Sequence, residues 1–337
     1  MVTRDTNGGP ATNRPISLQE IATRLGVSRA TVSNALQHRG RLSPALADRI
    51  RLTAEQLGYV PSAAARSLRT GRSALVGLVL PDFTMPLFPV FAQAFERAAK
   101  RRGMALLVAD ALGDGVVQAE EMRHLVARGA DALVVIPARG AALDVSGLPV
   151  PVVVVDSAAN PFNTASSDHR AGGRLVARHL ADLGHRRVIV LGGRTRSNVA
   201  LERVAGLVET FAALGVAARV VPVPADLDGS RDAVAALDLD GATAIACAYD
   251  AQAVGVLDAL AGRGLRVPDD VSVTGFDDTV WSQIVRPALT TVRQDLAAIA
   301  EHALDVAAGT ADAARLFPVT LVVRASTSRP PSTKGTP

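Results

Sequence analysis

Two sets of residues in this 337-residue chain have the types and spacing to do chemistry. One is compact. Arg29, Ala30, Ser33 and Asn34 fall on one side of a short helical stretch whose other side carries Val32 and Leu36. An arginine fork pairs bidentately with guanine, an asparagine amide with adenine, and an alanine methyl meets that of thymine, so this face can read base edges in a major groove. The other set is dispersed: Asp82, Phe88, Asp168, Arg203, Asp250, Asp277 and Trp281 lie in segments that follow apolar runs. Carboxylates and a guanidinium beside aromatic rings suit a polyhydroxylated or otherwise polar small molecule. The carboxylates accept its hydroxyl protons, and a ring lies on its apolar face. Asp168 and Asp250 also have a plainer reading as helix caps, and Asp277 one as a residue that closes a loop with backbone amides.

Other chemistry is missing its parts. No Gly-x-Gly-x-x-Gly or Walker pattern follows an apolar run, and Gly172-Gly173 and Gly192-Gly193 read as close-packing and turn positions. Cys247 is the only cysteine and lies in an apolar stretch, which excludes an internal disulfide and fits a reducing cytoplasm. His124, His179, His185 and His302 show no metal-ligand spacing. The expectation is a protein without cofactor or metal that binds and does not catalyse. No apolar run approaches the roughly 18 residues of a membrane span, and the first twenty residues lack the apolar stretch of a secretory leader. The expected location is the cytoplasm.

The elements that must position the first set are legible locally. From Met1 to Arg72 there are 11 arginines and 4 acidic residues, a net +7, whereas the remainder has 25 basic and 28 acidic residues, a net −3. A small basic module fused to an ordinary body points to a polyanion as partner. Residues 1–15 read as a disordered tail. Ser17-Leu18-Gln19-Glu20 forms a capping box, Leu18, Ile21, Ala22 and Leu25 share a face, and Gly26 supplies a positive φ for a turn. Ser28 caps a second helix, about Arg29 to Gln37. Ser43 and Pro44 open a third that stops at Gly58. Three short helices, the first two joined by a glycine turn, predict a helix-turn-helix head over 16–60. A protein-interaction module with a solvated polar face is the other reading of this pattern.

Residues 61–72 follow as a hinge. Pro61 to Arg69 has high helix propensity but little apolar surface besides Leu68, and nine residues fall short of the roughly 12–15 that hold a helix unaided in water. It reads either as a flexible linker or as a helix that forms in a minor groove. There a pair could insert leucines into a flexible base step, with Arg66 and Arg69 near phosphates.

Residues 73–328 alternate short Val, Leu and Ile-rich runs with helical segments, and the series occurs twice: Leu75–Leu80, Ala105–Ala109, Ala132–Ile136 and Val152–Val155, then Val188–Leu191, Val220–Val223, Ala244–Ala248 and Val271–Thr274. That pattern predicts an α/β fold of two doubly wound parallel-sheet subdomains, with residues 329–337 as a disordered tail. Ligands of such sheets sit beyond the carboxyl ends of the strands, where the second set of residues falls.

Leu18-Gln19-Glu20-Ile21-Ala22, Leu25-Gly26-Val27-Ser28, Thr31-Val32-Ser33-Asn34-Ala35-Leu36, Leu57-Gly58-Tyr59-Val60-Pro61 and Ala65-Arg66-Ser67-Leu68 together resemble the head and hinge of the lactose-repressor and galactose-repressor (LacI/GalR) family of bacterial transcription regulators. The resemblance continues to near residue 328. It implies a homodimer, or a higher assembly, on a pseudo-palindromic operator in double-stranded DNA. It implies DNA contacts from Leu18, Ser28, Arg29, Ala30, Thr31, Ser33, Asn34, Ala65, Arg66 and the wedge Leu68, and an effector core like periplasmic sugar-binding proteins. Arg203 and Asp277 match positions where the family commonly holds its effector. Two departures stand out: Met85-Pro86-Leu87-Phe88 replaces the usual Asn-Pro-Phe-Phe, and Tyr249 stands where an asparagine usually precedes the aspartate at Asp250. With two amides lost, a less polar, aromatic or nucleoside-like effector becomes admissible beside a sugar, and so does loss of effector response. The competing function is a cytoplasmic small-molecule-binding protein whose basic head docks a protein.

Overall fold

The computed structural model describes residues 16–36, 41–59, 71–138, 140, 143–157, 163–192, 198–311 and 314–331, and the chain divides into two compact units, Met1–Arg72 and Ser73–Pro337. In the first unit α1 (Leu18–Leu25), α2 (Arg29–Leu36) and α3 (Pro44–Gln56) enclose a small core of Ile21, Ala22, Val32, Ala35, Ala47, Ile50 and Ala54. The capping box is present. Glu20 N donates to Ser17 Oγ at 3.3 Å, and Ser17 N donates to Glu20 Oε2 at 2.5 Å. Gly26 turns the chain at φ 66°, a left-handed conformation that a side chain disfavours. Thr31 N then donates to Ser28 Oγ at 3.0 Å, and Ser43 caps α3 with Pro44 in its first turn. The buried seam of α2 is Val32 and Ala35 rather than Val32 and Leu36, because i to i+3 spacing faces the core and leaves Leu36 half-buried at its rim. Gln37 and the hinge residues Ala65, Arg66, Leu68 and Arg69 lie outside the described residues.

The second unit begins with β1 (Leu75–Leu80), α4 (Leu87–Arg101), β2 (Ala105–Asp110), α5 (Gly115–Ala127), β3 (Ala132–Val135), β4 (Val152–Val155) and β5 (Asn163–Ser167). Its other half holds α6 (His169–Leu183), β6 (Arg187–Leu191), α7 (Asn198–Ala213), β7 (Ala217–Val221), α8 (Leu227–Ala235), β8 (Ala244–Cys247), α9 (Asp250–Gly262), β9 (Ser272–Thr274), α10 (Val280–Ile284) and β10 (Thr291–Gln294). The chain then returns. α11 (Leu296–Ala307) and β11 (Arg315–Phe317) join the first half, and β12 (Val319–Val322) pairs antiparallel with β10.

The first sheet is parallel, in the order β11-β5-β4-β3-β1-β2, and the second is parallel, in the order β7-β6-β8-β9. Both are covered on two faces, as continuous apolar strands require. Val76, Leu78 and Leu80 pack with Phe91, Phe95 and Ile299 of α4 and α11, while Val79 and Leu133 pack with Met122 and Leu125 of α5. In the second sheet Ile189, Ile245 and Val273 meet Val256 and Leu260 of α9, and Val188, Val190 and Ala246 meet Leu180 of α6 and Phe211 of α7.

The expected serial plan of two repeats is corrected in one respect: the chain crosses between the halves three times, after β5, after β10 and after β11. β5 carries the small polar sequence NTASS, so it showed no apolar run. The crossings are tied together: Asp168 N donates to Phe317 O at 2.8 Å and Ser167 Oγ to Gln294 Oε1 at 2.7 Å. The structure also describes residues 329–331, beyond the expected end of the core.

Candidate functional site: a cleft between two half-domains and a polar helix face

The strand-end loops of the two halves enclose a cavity of about 500 Å³, counted with its open mouth. The first half lines it with Met85, Leu87, Phe88, Ile136 and Pro137, an almost wholly apolar wall, plus Asp156. The second half supplies Val199, Arg203, Tyr249 and Asp277. A ligand here meets carbon on one side and charge on the other.

Arg203 is placed by helix packing. A Cβ on Gly206 would sit 2.1 Å from Arg170 O, and one on Gly173 2.3 Å from Arg203 O, so α6 and α7 touch backbone to backbone. One turn before Gly206, the Arg203 side chain is only 1% exposed. Its Nη1 donates to Ala248 O at 2.7 Å and its Nε to His169 Nδ1 at 3.2 Å. Its guanidinium carbon lies 3.8 Å from the Phe276 ring centre and 5.0 Å from that of Tyr249. Nη2 forms an ion pair with Asp277 Oδ1 at 2.9 Å, its nearest partner among the described residues, in a residue that lines the cavity.

Asp277 accepts from Gln294 Nε2 at 2.9 Å and has φ 120°, backbone that a non-glycine residue adopts only under constraint. Burial pushes its carboxyl up to about 7 against the pull of Arg203, with Asp250 adding to the rise. Asp156 behaves oppositely: burial pushes it up, but His169 at 2.6 Å and Arg203 outweigh that and hold it below the usual carboxylate range. Burial also lowers His169, which Asp156 opposes and Arg203 reinforces.

Four of the eight expected cleft residues, Phe88, Arg203, Tyr249 and Asp277, line the cavity. The other four do not appear in its lining. Asp82 closes a turn, accepting from Thr84 N at 2.8 Å and Thr84 Oγ1 at 2.6 Å. Asp168 caps α6 through Ala171 N at 2.8 Å. Asp250 is buried and accepts from Thr279 N, Thr279 Oγ1 and Thr291 Oγ1 at 2.7, 3.1 and 2.6 Å. Trp281 stands half-buried in α10. Asp168 is a helix cap, as its plainer reading has it, whereas Asp250, also read as a cap, instead ties Thr279 to Thr291. Asp156 was not anticipated, although it directly follows the Val152–Val155 run and the strand-end rule would have found it. His169 carried no sequence signal.

On the head, Ser28, Arg29, Ala30 and Asn34 are exposed along α2, with Thr31 and Ser33 half-buried. Thr31 Oγ1 lies 2.8 Å from Ser28 Oγ, so these hydroxyls serve the helix start. Leu18 packs on the three-helix core. Tyr59 also packs there; burial raises its phenol and Arg29 opposes that rise.

Residues 17–62 match the family model described as "Bacterial regulatory proteins, lacI family", and residues 177–327 match the model "Periplasmic binding protein-like domain". The HTH-type transcriptional regulator GalR of Escherichia coli is 32% identical over 331 residues, spanning 93% of this chain and 96% of its own. MalR of Streptomyces coelicolor, another HTH-type transcriptional regulator, is 32% identical over 345 residues, spanning 95% and 99%. Among solved structures, the lac repressor dimer bound to operator and the anti-inducer ONPF superposes with a TM-score of 0.81 at 26% identity, covering 94% of this chain and all of that one. The chain belongs to the lacI family of bacterial regulatory proteins.

Proposed function

We propose that this regulator represses transcription by binding a pseudo-palindromic DNA site as a homodimer, and that a small polar molecule with an apolar face, a sugar or a related metabolite, sets its DNA affinity from the cleft. It acts by binding, without cofactor or catalysis, where the chromosome is, in the cytoplasm. Arg29, Ala30 and Asn34 read base edges, Arg66 meets phosphate, and Leu68 is the wedge between base steps. Exposed Leu112, Val116, Val280 and Ile284 are apolar surface that a second copy would cover.

One observation carries this reading. The charged floor of the cavity is bonded to the strands that cross between the halves: Asp277 to Gln294, Gln294 to Ser167. A ligand that engages Arg203 or Asp277 therefore acts on the crossings themselves, which is what coupling a cleft to a change in the angle between halves requires. The test is a selection of genomic fragments by the full chain at fixed salt, then anisotropy titrations of the winning site with mono- and disaccharides and nucleosides. A preferred site whose affinity one compound class shifts about 5- to 150-fold supports the proposal. Binding that is equal for all fragments, or indifferent to every compound, overturns it.

A further inference from the structure

The polar groups behind the cavity form a closed ring. Asp156 Oδ1 is 2.6 Å from His169 Nε2, and His169 Nδ1 is 3.2 Å from Arg203 Nε. Arg203 Nη2 lies 2.9 Å from Asp277 Oδ1, to which Gln294 Nε2 donates at 2.9 Å. Gln294 Oε1 accepts from Ser167 Oγ at 2.7 Å, and Ser167 N returns to Asp156 Oδ1 at 3.4 Å. Donor and acceptor directions around the ring are not free. An arginine Nε–H only donates, so His169 Nδ1 must be the acceptor and carry no proton. The remaining proton is then on Nε2, where it donates to Asp156.

We propose that His169 is the positioning residue for the cleft: its neutral, Nε2-protonated ring holds Arg203 against the Tyr249 and Phe276 rings with Nη2 at Asp277, and a second proton on the ring releases Arg203. The reason is steric and electrostatic. An imidazolium would turn an N–H toward the Arg203 N–H at a hydrogen-bond distance, two donors and two positive charges meeting between almost fully buried side chains. Either the ring or the guanidinium must then leave.

The surroundings set the direction of the response. Among the described residues, the charged groups facing His169 are Asp156 from the loop after β4, Arg203 from α7, Asp277 beyond it from the loop after β9, and Asp168 on its own helix start. β12, packed on α6, brings Val319, Thr320, Leu321 and Val322, which do not titrate. β10 brings Gln294 to the ring and turns Arg293 to Asp278 at 2.5 Å. Glu202 and Glu209 of α7 are taken up by Arg170. Burial and Arg203 together keep the ring neutral at ordinary pH, so release belongs to acid conditions, below the ~6.5 of a free histidine.

The significance of this inference rests on the cleft being the ligand site, but its test does not, because it is made on the empty full-length chain. Nitrogen-15 spectra report the protonation of each ring nitrogen; the His169 signals are those missing from His169→Asn, and the Arg203 Nε–H peak is the one missing from Arg203→Lys. The expected result is an unprotonated Nδ1, a protonated Nε2, and a slowly exchanging Arg203 Nε–H peak that is lost at the same acid midpoint at which His169 titrates. In His169→Asn a carboxamide oxygen offers an acceptor that does not titrate, so the peak persists through that midpoint. A proton on Nδ1 in the native chain, an Arg203 peak that outlives the titration of His169, or a His169→Asn chain whose peak is lost at the native midpoint would each overturn the proposal.

Discussion

Gly206→Ala tests how the cleft is built. The added Cβ would lie 2.1 Å from the Arg170 carbonyl oxygen and 3.0 Å from its carbon, where ordinary contact begins at 3.4 Å. The opposing atoms are backbone, so no side chain can swing away. Restoring contact requires α6 and α7 to part by about 1.3 Å along that line. Overpacking of this kind costs about 1–3 kcal/mol. For a body of this size a loss of 1 kcal/mol lowers the melting temperature by about 2–4 °C, so the expected drop is ~2–12 °C by calorimetry. Arg203 lies one turn away on α7, and its bond to His169 bridges the seam being opened, so affinity for an effector falls further than stability does. Gly262→Ala is the control: nothing lies within 4 Å of its Cβ, and there the loss of chain entropy on folding is reduced, stabilising by about 0.5–1 kcal/mol. If the two variants melt alike, the close approach of α6 and α7 is not what positions Arg203.

Changing Arg29 to Ala is expected to relax base preference at one symmetric pair of operator positions, a loss of about 1–3 kcal/mol of discrimination read from a selection logo. An unchanged logo removes Arg29 as a reader. Leu68→Ala is expected to weaken specific binding much more than nonspecific binding in titrations at one salt concentration, since a wedge contributes only where the duplex is deformed; equal losses reject the wedge. Asp277 retains its proton up to about 7, whereas an unfolded aspartate loses it near ~3.9, so native stability from this group is greatest below the unfolded value and declines as pH rises between the two. Asp277→Asn removes that decline, and its melting temperatures at ~pH 5 and ~pH 8 are expected to differ less than those of the native chain; an unaltered difference would show that this carboxyl does not titrate there.

The head was readable because its signals act over three or four residues. Ser17 and Glu20 satisfy each other's backbone amides, Gly26 bends the chain, and Ser43 with Pro44 starts α3, all without reference to anything distant. The sheets were readable for a similar reason, since strands buried on both faces must be apolar throughout. β5, β10 and β12 escaped because small and polar residues such as Thr164, Ser166, Arg293 and Thr320 interrupt them. Arg203 and Asp277 line the cavity while Asp250 does not, and nothing local in the sequence separates the two aspartates. Both follow strand ends, but Thr279 and Thr291 aim three donors at Asp250 and hold it as a tie between loop and strand. Such a difference is fixed by contacts 29 and 41 residues apart in the chain.

The arithmetic of coupling favours a ligand that engages the ring of charges over one that merely fills the apolar wall. A useful switch needs about 1–3 kcal/mol of difference between the two arrangements of the halves. Carbon contacts with Met85, Leu87, Phe88, Ile136 and Pro137 all belong to one half, so they are retained whichever way the other half turns and contribute to affinity without contributing to coupling. A ligand bonded to both Arg203 and Asp156 is different, because those groups line the cavity from opposite halves, and turning one half against the other changes the span it must bridge. A hydrogen bond to a charged group is worth about 1.5–3 kcal/mol, so a single such bridge, made in one arrangement and broken in the other, supplies the whole switch.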